Sequence, residues 1–175
     1  MTISLYDATV ASFLRNLDAA SGFLEKGRTH CEASGIDLDE VVEMRLYADM
    51  LPFRFQVVSV AHHSLGALRG IQAGVFRPPQ PAEESYADLQ RMVAAAREGL
   101  LELTPDAVNA LADNDLIFEG RGVKLRFSAE DFLLAFSVPN FYFHATTAYD
   151  MLRMKGAPLG KRDFLGNLPM KVVQD

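Results

Sequence analysis

The side chains of this chain best suited to chemistry are four histidines, His30, His62, His63 and His144, and one cysteine, Cys31. Three of the histidines lie in runs without charge: His62 and His63 in FQVVSVAHHSLGAL (55–68), His144 in FLLAFSVPNFYFHATTAY (132–149). Uncharged runs of this length read as buried helices, so these imidazoles are expected inside. At helical spacing Gln56, Ser59, Val60, His63 and Ala67 share one face, and Asn140, His144, Thr147, Ala148 and Met151 share another. His62 stands about 100° round the helix from His63, and either can face inward. The polar members, His144, His63, Gln56, Ser59, Asn140 and Thr147, form the expected small polar pocket between the second and fourth long helices.

Two buried imidazoles on facing helices can bind a divalent ion or exchange protons. The alternative is that each is satisfied by a neighbouring hydroxyl or carbonyl. Catalytic zinc takes three protein ligands and keeps a fourth position open. The chain has no HxxxH or ExxH, so a third ligand must come from Asp49, Asp150, Tyr149 or His30. Zinc or nickel at His144 and His63 is therefore expected to bind weakly. His144 itself is expected near the ordinary imidazole pKa of about 6.5, as donor, acceptor or general base. A single cysteine excludes an internal disulfide, a CxxC pair and the cysteine zinc motifs. Nothing evident beside Cys31 lowers its pKa, so an inert thiol is expected.

These residues must be positioned by something, and length and composition bound what it is. The 175 residues are 49% hydrophobic and 23% charged, which suits one folded domain spanning 1–175. The net charge is −6, with 9 basic and 18 acidic side chains in 1–120 against 8 and 5 in 121–175. An acidic chain without a basic stripe is a poor nucleic-acid partner. MTISLYDATV lacks the basic start of a secretory signal, and neither uncharged run reads as a membrane span. The expected location is cytoplasmic.

Apolar periodicity predicts long helices over 3–33, about 52–70, 83–103 and 129–155. Gly22 and Gly27 are expected to weaken the first. Asp37 to Glu40 has capping-box spacing for a short helix to Leu46, and Thr104-Pro105 opens another to Leu111. Gly74, Pro78, Pro79 and Pro81 mark a loop. Val123, Leu125 and Phe127 alternate with Lys124 and Arg126, predicting a two-stranded hairpin over about 115–127. Pro139 is expected to kink the last helix. The tail 157–175 is expected to pack back as an extended segment, anchored by Phe164 and Leu165, with Asp163 free to pair with a base. Phe132, Phe136, Phe141, Tyr142 and Phe143 either fill the bundle and the underside of the hairpin or bury a subunit contact.

PNFYFHATTAYDMLRMKGAPLGKRDFLG (139–166), together with ADMLPFRFQV (48–57), resembles a bacterial family known only as a domain of unknown function. That family is similar to the DinB/YfiT-like bundles. The resemblance implies an all-α, up-down four-helix bundle with a small β-hairpin before the last helix, and a homodimer. For the superfamily it implies metalloenzymes with three histidines, some acting as thiol-dependent transferases or isomerases. Carried onto this chain, the fourth-helix ligand is His144 and the second-helix ligand His63 or His62, while Ala148 replaces a ligand one turn later. Two classes stay open. One is a metal- or thiol-dependent transferase or hydrolase. The other is a non-catalytic, dimeric small-ligand or stress-related interaction protein with a degenerate metal site.

Overall fold

The computed structural model describes residues 3–80, 82–120 and 122–170; Met1, Thr2, Pro81, Arg121 and the part of the expected tail beyond Met170 lie outside the described residues. Ser4 caps α1 (Leu5–Ala8) in a reciprocal box with Asp7. The expected single first helix is broken at Thr9, a buried residue whose hydroxyl donates to the Leu5 carbonyl at 2.6 Å. From there α2 (Val10–Ala33) runs without interruption. Gly27 lies inside it and admits its neighbours: a Cβ there would lie 2.7 Å from Leu152 and 2.9 Å from the Tyr86 hydroxyl. That hydroxyl donates to the Leu24 carbonyl at 2.8 Å. Asp37 caps α3 (Leu38–Glu43) through the Asp39 N–H, without the reciprocal bond of the expected box.

The second rod begins at Pro52, which is the cap rather than the first helical residue, and comprises α4 (Phe53–Ala61), a π-helical turn (His62–Gly66) and α5 (Ala67–Ala73). A π turn carries an extra residue and releases carbonyls from the α-pattern. The Ser64 hydroxyl answers by donating to the Val60 and Ala61 carbonyls at 2.8 and 3.0 Å. The third rod is α6 (Tyr86–Leu101), capped by Ser85 and Asp88. A shorter α7 (Pro105–Asn109) starts at the Thr104 cap. The fourth comprises α8 (Ala129–Asp131), a second π segment (Phe132–Ser137) and α9 (Val138–Met154). Pro139 has no N–H to offer the turn before it. The helix accommodates this by widening: Val138 N–H reaches back to the Leu133 carbonyl, and the Asn140 side-chain amide donates to Phe136 O at 2.7 Å.

Helix α2 packs on α6 and α9, and α4 packs on the same two. The order round the bundle is therefore α2, α6, α4, α9, with the first and second rods diagonally opposed. The core runs from Phe13, Leu17 and Leu24 through Phe53, Leu89 and Val93 to Phe132, Phe141 and Leu152.

The expected hairpin gains a third strand. β1 (Val75–Phe76) pairs parallel to β2 (Asp115–Gly120), which pairs antiparallel to β3 (Val123–Ser128). Two residues are too few to leave a period in sequence. Their place is fixed by the burial of Phe76, opposite Phe118 in the ladder. Of the alternating residues on β3 only Phe127 packs inward, whereas Val123 and Leu125 stay exposed.

The tail is not extended throughout. Gly156, at φ 89°, ends α9. Ala157 and Leu159 are buried, and α10 (Lys161–Leu165) lies against α2. Asp163 pairs with Lys26 at 2.5 Å, which holds its carboxyl below the usual range, and the Phe164 ring meets Tyr149 edge-on at 5.6 Å.

Candidate functional site

Helices α4 and α9 pack directly, and the faces read from spacing meet between them. His63, in the first π turn, reaches Ser137, in the second, at 3.4 Å from Nδ1 to Oγ. The rings of His63 and His144 are 5.8 Å apart and within 14° of parallel. Both are buried. Above them opens a cavity of about 460 Å³, within the range of small-molecule sites. Its walls include five phenylalanines, Phe55, Phe76, Phe118, Phe136 and Phe143, with Met50, Leu51, Pro78 and Pro79. Its polar lining is Gln56, Ser59, His63, Asn140 and His144. No Asp, Glu, Lys or Arg lines it among the described residues.

The proton on His144 can be placed from its partners. A carbonyl only accepts, so at 2.8 Å from Leu51 O the Gln56 amide nitrogen is the atom that donates. The amide oxygen of Gln56 then faces His144 Nδ1, also at 2.8 Å. Nδ1 carries the hydrogen, and Nε2 is left as an acceptor. Burial pushes the His144 pKa down to about 4. Burial pushes His63 to about 3, with the neighbouring His144 and His62 acting in the same direction. The expectation of an ordinary pKa at His144 is thus corrected: desolvation disfavours the imidazolium, and among the described residues no carboxylate lines the cavity to offset it. Near neutral pH both rings are uncharged.

Of the two adjacent histidines, His63 lines the cavity. The His62 ring leans on Phe76 at 4.4 Å, with Nε2 at 2.7 Å from the Arg77 carbonyl, and burial lowers its pKa as well. Gln56, Ser59, Asn140 and His144 line the cavity as their spacing indicates. Thr147 does not: its hydroxyl donates to Phe143 O at 2.8 Å. The aromatic surplus of the fourth rod is mostly absorbed inside the chain. Phe132 and Phe141 are buried, Phe136 sits among Phe76, Phe118 and Phe127, and the Tyr142 hydroxyl lies 2.8 Å from Ser12 Oγ and 3.0 Å from the Asn16 amide. Phe143 remains 55% exposed while lining the cavity.

Sequence reasoning missed the far wall. Phe76, Phe118, Pro78 and Pro79 come from the strands and from a segment read only as loop. The one available signal was the placing of Phe76 just before two prolines.

A three-ligand metal centre does not fit these side chains. None of the candidate third ligands joins the histidine pair. His30 Nε2 meets the Lys155 carbonyl at 3.0 Å, Tyr149 packs between Phe23 and Phe164, and Asp49 and Asp150 are exposed. No cluster of three or more His, Cys, Asp or Glu suited to a metal occurs among the described residues. Cys31 is buried, and burial raises its pKa, the wrong direction for a reactive thiolate. No helix among the described residues is long and apolar enough to cross a membrane.

Comparison with known proteins follows the same outline. A family model described as a domain of unknown function, DUF1993, matches residues 5–165. Among solved structures the chain is similar to the crystal structure of a DinB family member protein from Shewanella denitrificans. The TM-score is 0.79 and the identity 26%, over 97% of this chain and 96% of that one. No curated protein matches.

Proposed function

The chain belongs to the DUF1993 family of DinB-like bundles, and we propose that it binds an uncharged, largely aromatic small molecule in the cavity between α4 and α9. The observation that carries this reading is the pair of buried, neutral imidazoles in a cavity with no charged lining among the described residues. Among the described residues a bound anion would meet no cation there, and a bound cation no carboxylate. Burying an unpaired charge is costly, whereas phenylalanine walls favour a flat apolar body. An imidazole with a pKa near 3 or 4 is also a weak general base at neutral pH. This favours binding over the alternative of acid–base catalysis at these rings. Zinc or nickel, offered only two imidazoles, binds weakly.

Calorimetric titration with toluene, benzoate and benzylammonium tests the reading, since the three are close in size and differ in charge. Toluene is expected to bind, and each ion at least tenfold more weakly, a gap of about 1.4 kcal/mol or more. Benzoate or benzylammonium binding as tightly as toluene contradicts the proposal.

A further inference from the structure

Taking the cavity as the ligand site just proposed, we infer that its ligand is a phenol, whose single hydroxyl oxygen accepts a hydrogen bond from Ser59 and donates one to His144. The first observation is an orphan. Ser59 is 1% exposed, lines the cavity, and its hydroxyl has no hydrogen-bond partner among the described residues. Other buried helical hydroxyls find partners: Ser137 meets His63 Nδ1, and two more turn back to their own helix. Ser64 donates to Val60 O and Thr147 to Phe143 O. Ser59 makes no such bond, and buried polar groups are rarely left unpaired.

The second observation is independent and lies on the other helix. The relay from Leu51 O through the Gln56 amide to His144 fixes the hydrogen on Nδ1 and leaves Nε2 able only to accept. Ser59 therefore supplies a hydroxyl without a partner and His144 an acceptor, both on residues that line the cavity. A hydroxyl oxygen can answer both at one atom. A ketone or ether satisfies Ser59 alone, and a methyl group satisfies neither. The phenylalanine walls supply the place for the ring that carries the hydroxyl, with Phe55 and Phe143 each edge-on to His144 at 5.8 and 5.2 Å.

Calorimetric titration of the full chain with p-cresol, 4-methylanisole and toluene tests this. The methyl ether keeps the ring and the oxygen but removes the donor. One hydrogen bond is worth about five- to tenfold in affinity. So p-cresol is expected to bind about tenfold more tightly than 4-methylanisole. Ser59→Ala is expected to weaken p-cresol binding about five- to tenfold while leaving toluene within about twofold. Equal binding of p-cresol and its methyl ether, with toluene still bound, overturns the hydroxyl assignment but spares the aromatic pocket. An undiminished p-cresol affinity in Ser59→Ala overturns the role of Ser59. Binding of none of the three overturns the pocket and this inference together.

Discussion

Phe76→Ala is expected to lower stability by about 3–5 kcal/mol, the cost of truncating a fully packed phenylalanine. The residue occupies a two-residue strand, yet its ring joins three parts of the molecule. It lies 4.9 Å from Phe132 at the start of the fourth rod, 4.4 and 5.5 Å from His62 and His63, and 6.4 Å from Phe118 across the sheet. A Cβ added at Gly70 would stand only 3.0 Å from it, so the bundle is closed tightly over this side chain. Truncation leaves a hole beside the cavity as well as a strand without its anchor. Urea unfolding measures the loss, with Leu125→Ala as the control. Leu125 is 49% exposed on the same sheet, and its truncation should change stability by no more than about 0.5 kcal/mol. A loss below about 1 kcal/mol for Phe76→Ala would contradict the packing described.

Acidification is expected to destabilise the protein well before its carboxylates titrate. His63 and His144 have folded-state pKa values near 3 and 4, below the ordinary value of about 6.5 that the unfolded chain retains. The unfolded state therefore takes up protons first as pH falls. The histidine contribution is complete above about pH 6.5 and is lost progressively from there down toward the folded values. At about 1.4 kcal/mol per pH unit per group, each ring costs about 2 kcal/mol by pH 5, or about 4 kcal/mol together. His62 acts in the same direction. The lowered carboxyls Glu25, Asp88, Glu119 and Asp163 lose their contributions only at lower pH, leaving the window between pH 5 and 6.5 to the histidines. Urea unfolding at pH 7 and pH 5 should show most of this loss in the native chain. Less than about 1.5 kcal/mol of it should remain in a His63→Gln, His144→Gln variant. An equal loss in both proteins contradicts buried, neutral imidazoles.

The apolar stripes made the four rods legible, because a period of three and four survives any detail of packing. The same spacing brought Gln56, Ser59, His63, Asn140 and His144 to one cavity. Thr147 escaped that logic, since a threonine can satisfy itself on its own helix, as it does on Phe143 O. The π turns at His62–Gly66 and Phe132–Ser137 left no sequence mark beyond Pro139, since one extra residue in a turn alters hydrogen bonding but not composition. Nor could spacing decide between His62 and His63, which differ by a single step round the helix. β1 and α10 are too short to carry a period; tertiary burial of Phe76 and the docking of Phe164 place them. The direction of the histidine pKa shifts also lay outside the sequence. It depends on a cavity lined by no carboxylate among the described residues, part of whose far wall comes from residues read as loop.

The protonation state of His144 carries the account, and nitrogen-15 NMR of the imidazole side chains at pH 7 reads it directly. The expected result for His144 is a neutral ring with hydrogen on Nδ1, donated to the Gln56 amide oxygen, and a bare Nε2. In Gln56→Leu that preference should disappear. A protonated ring at pH 7, or a neutral ring with its hydrogen on Nε2, would contradict both the uncharged pocket and the acceptor assigned to it.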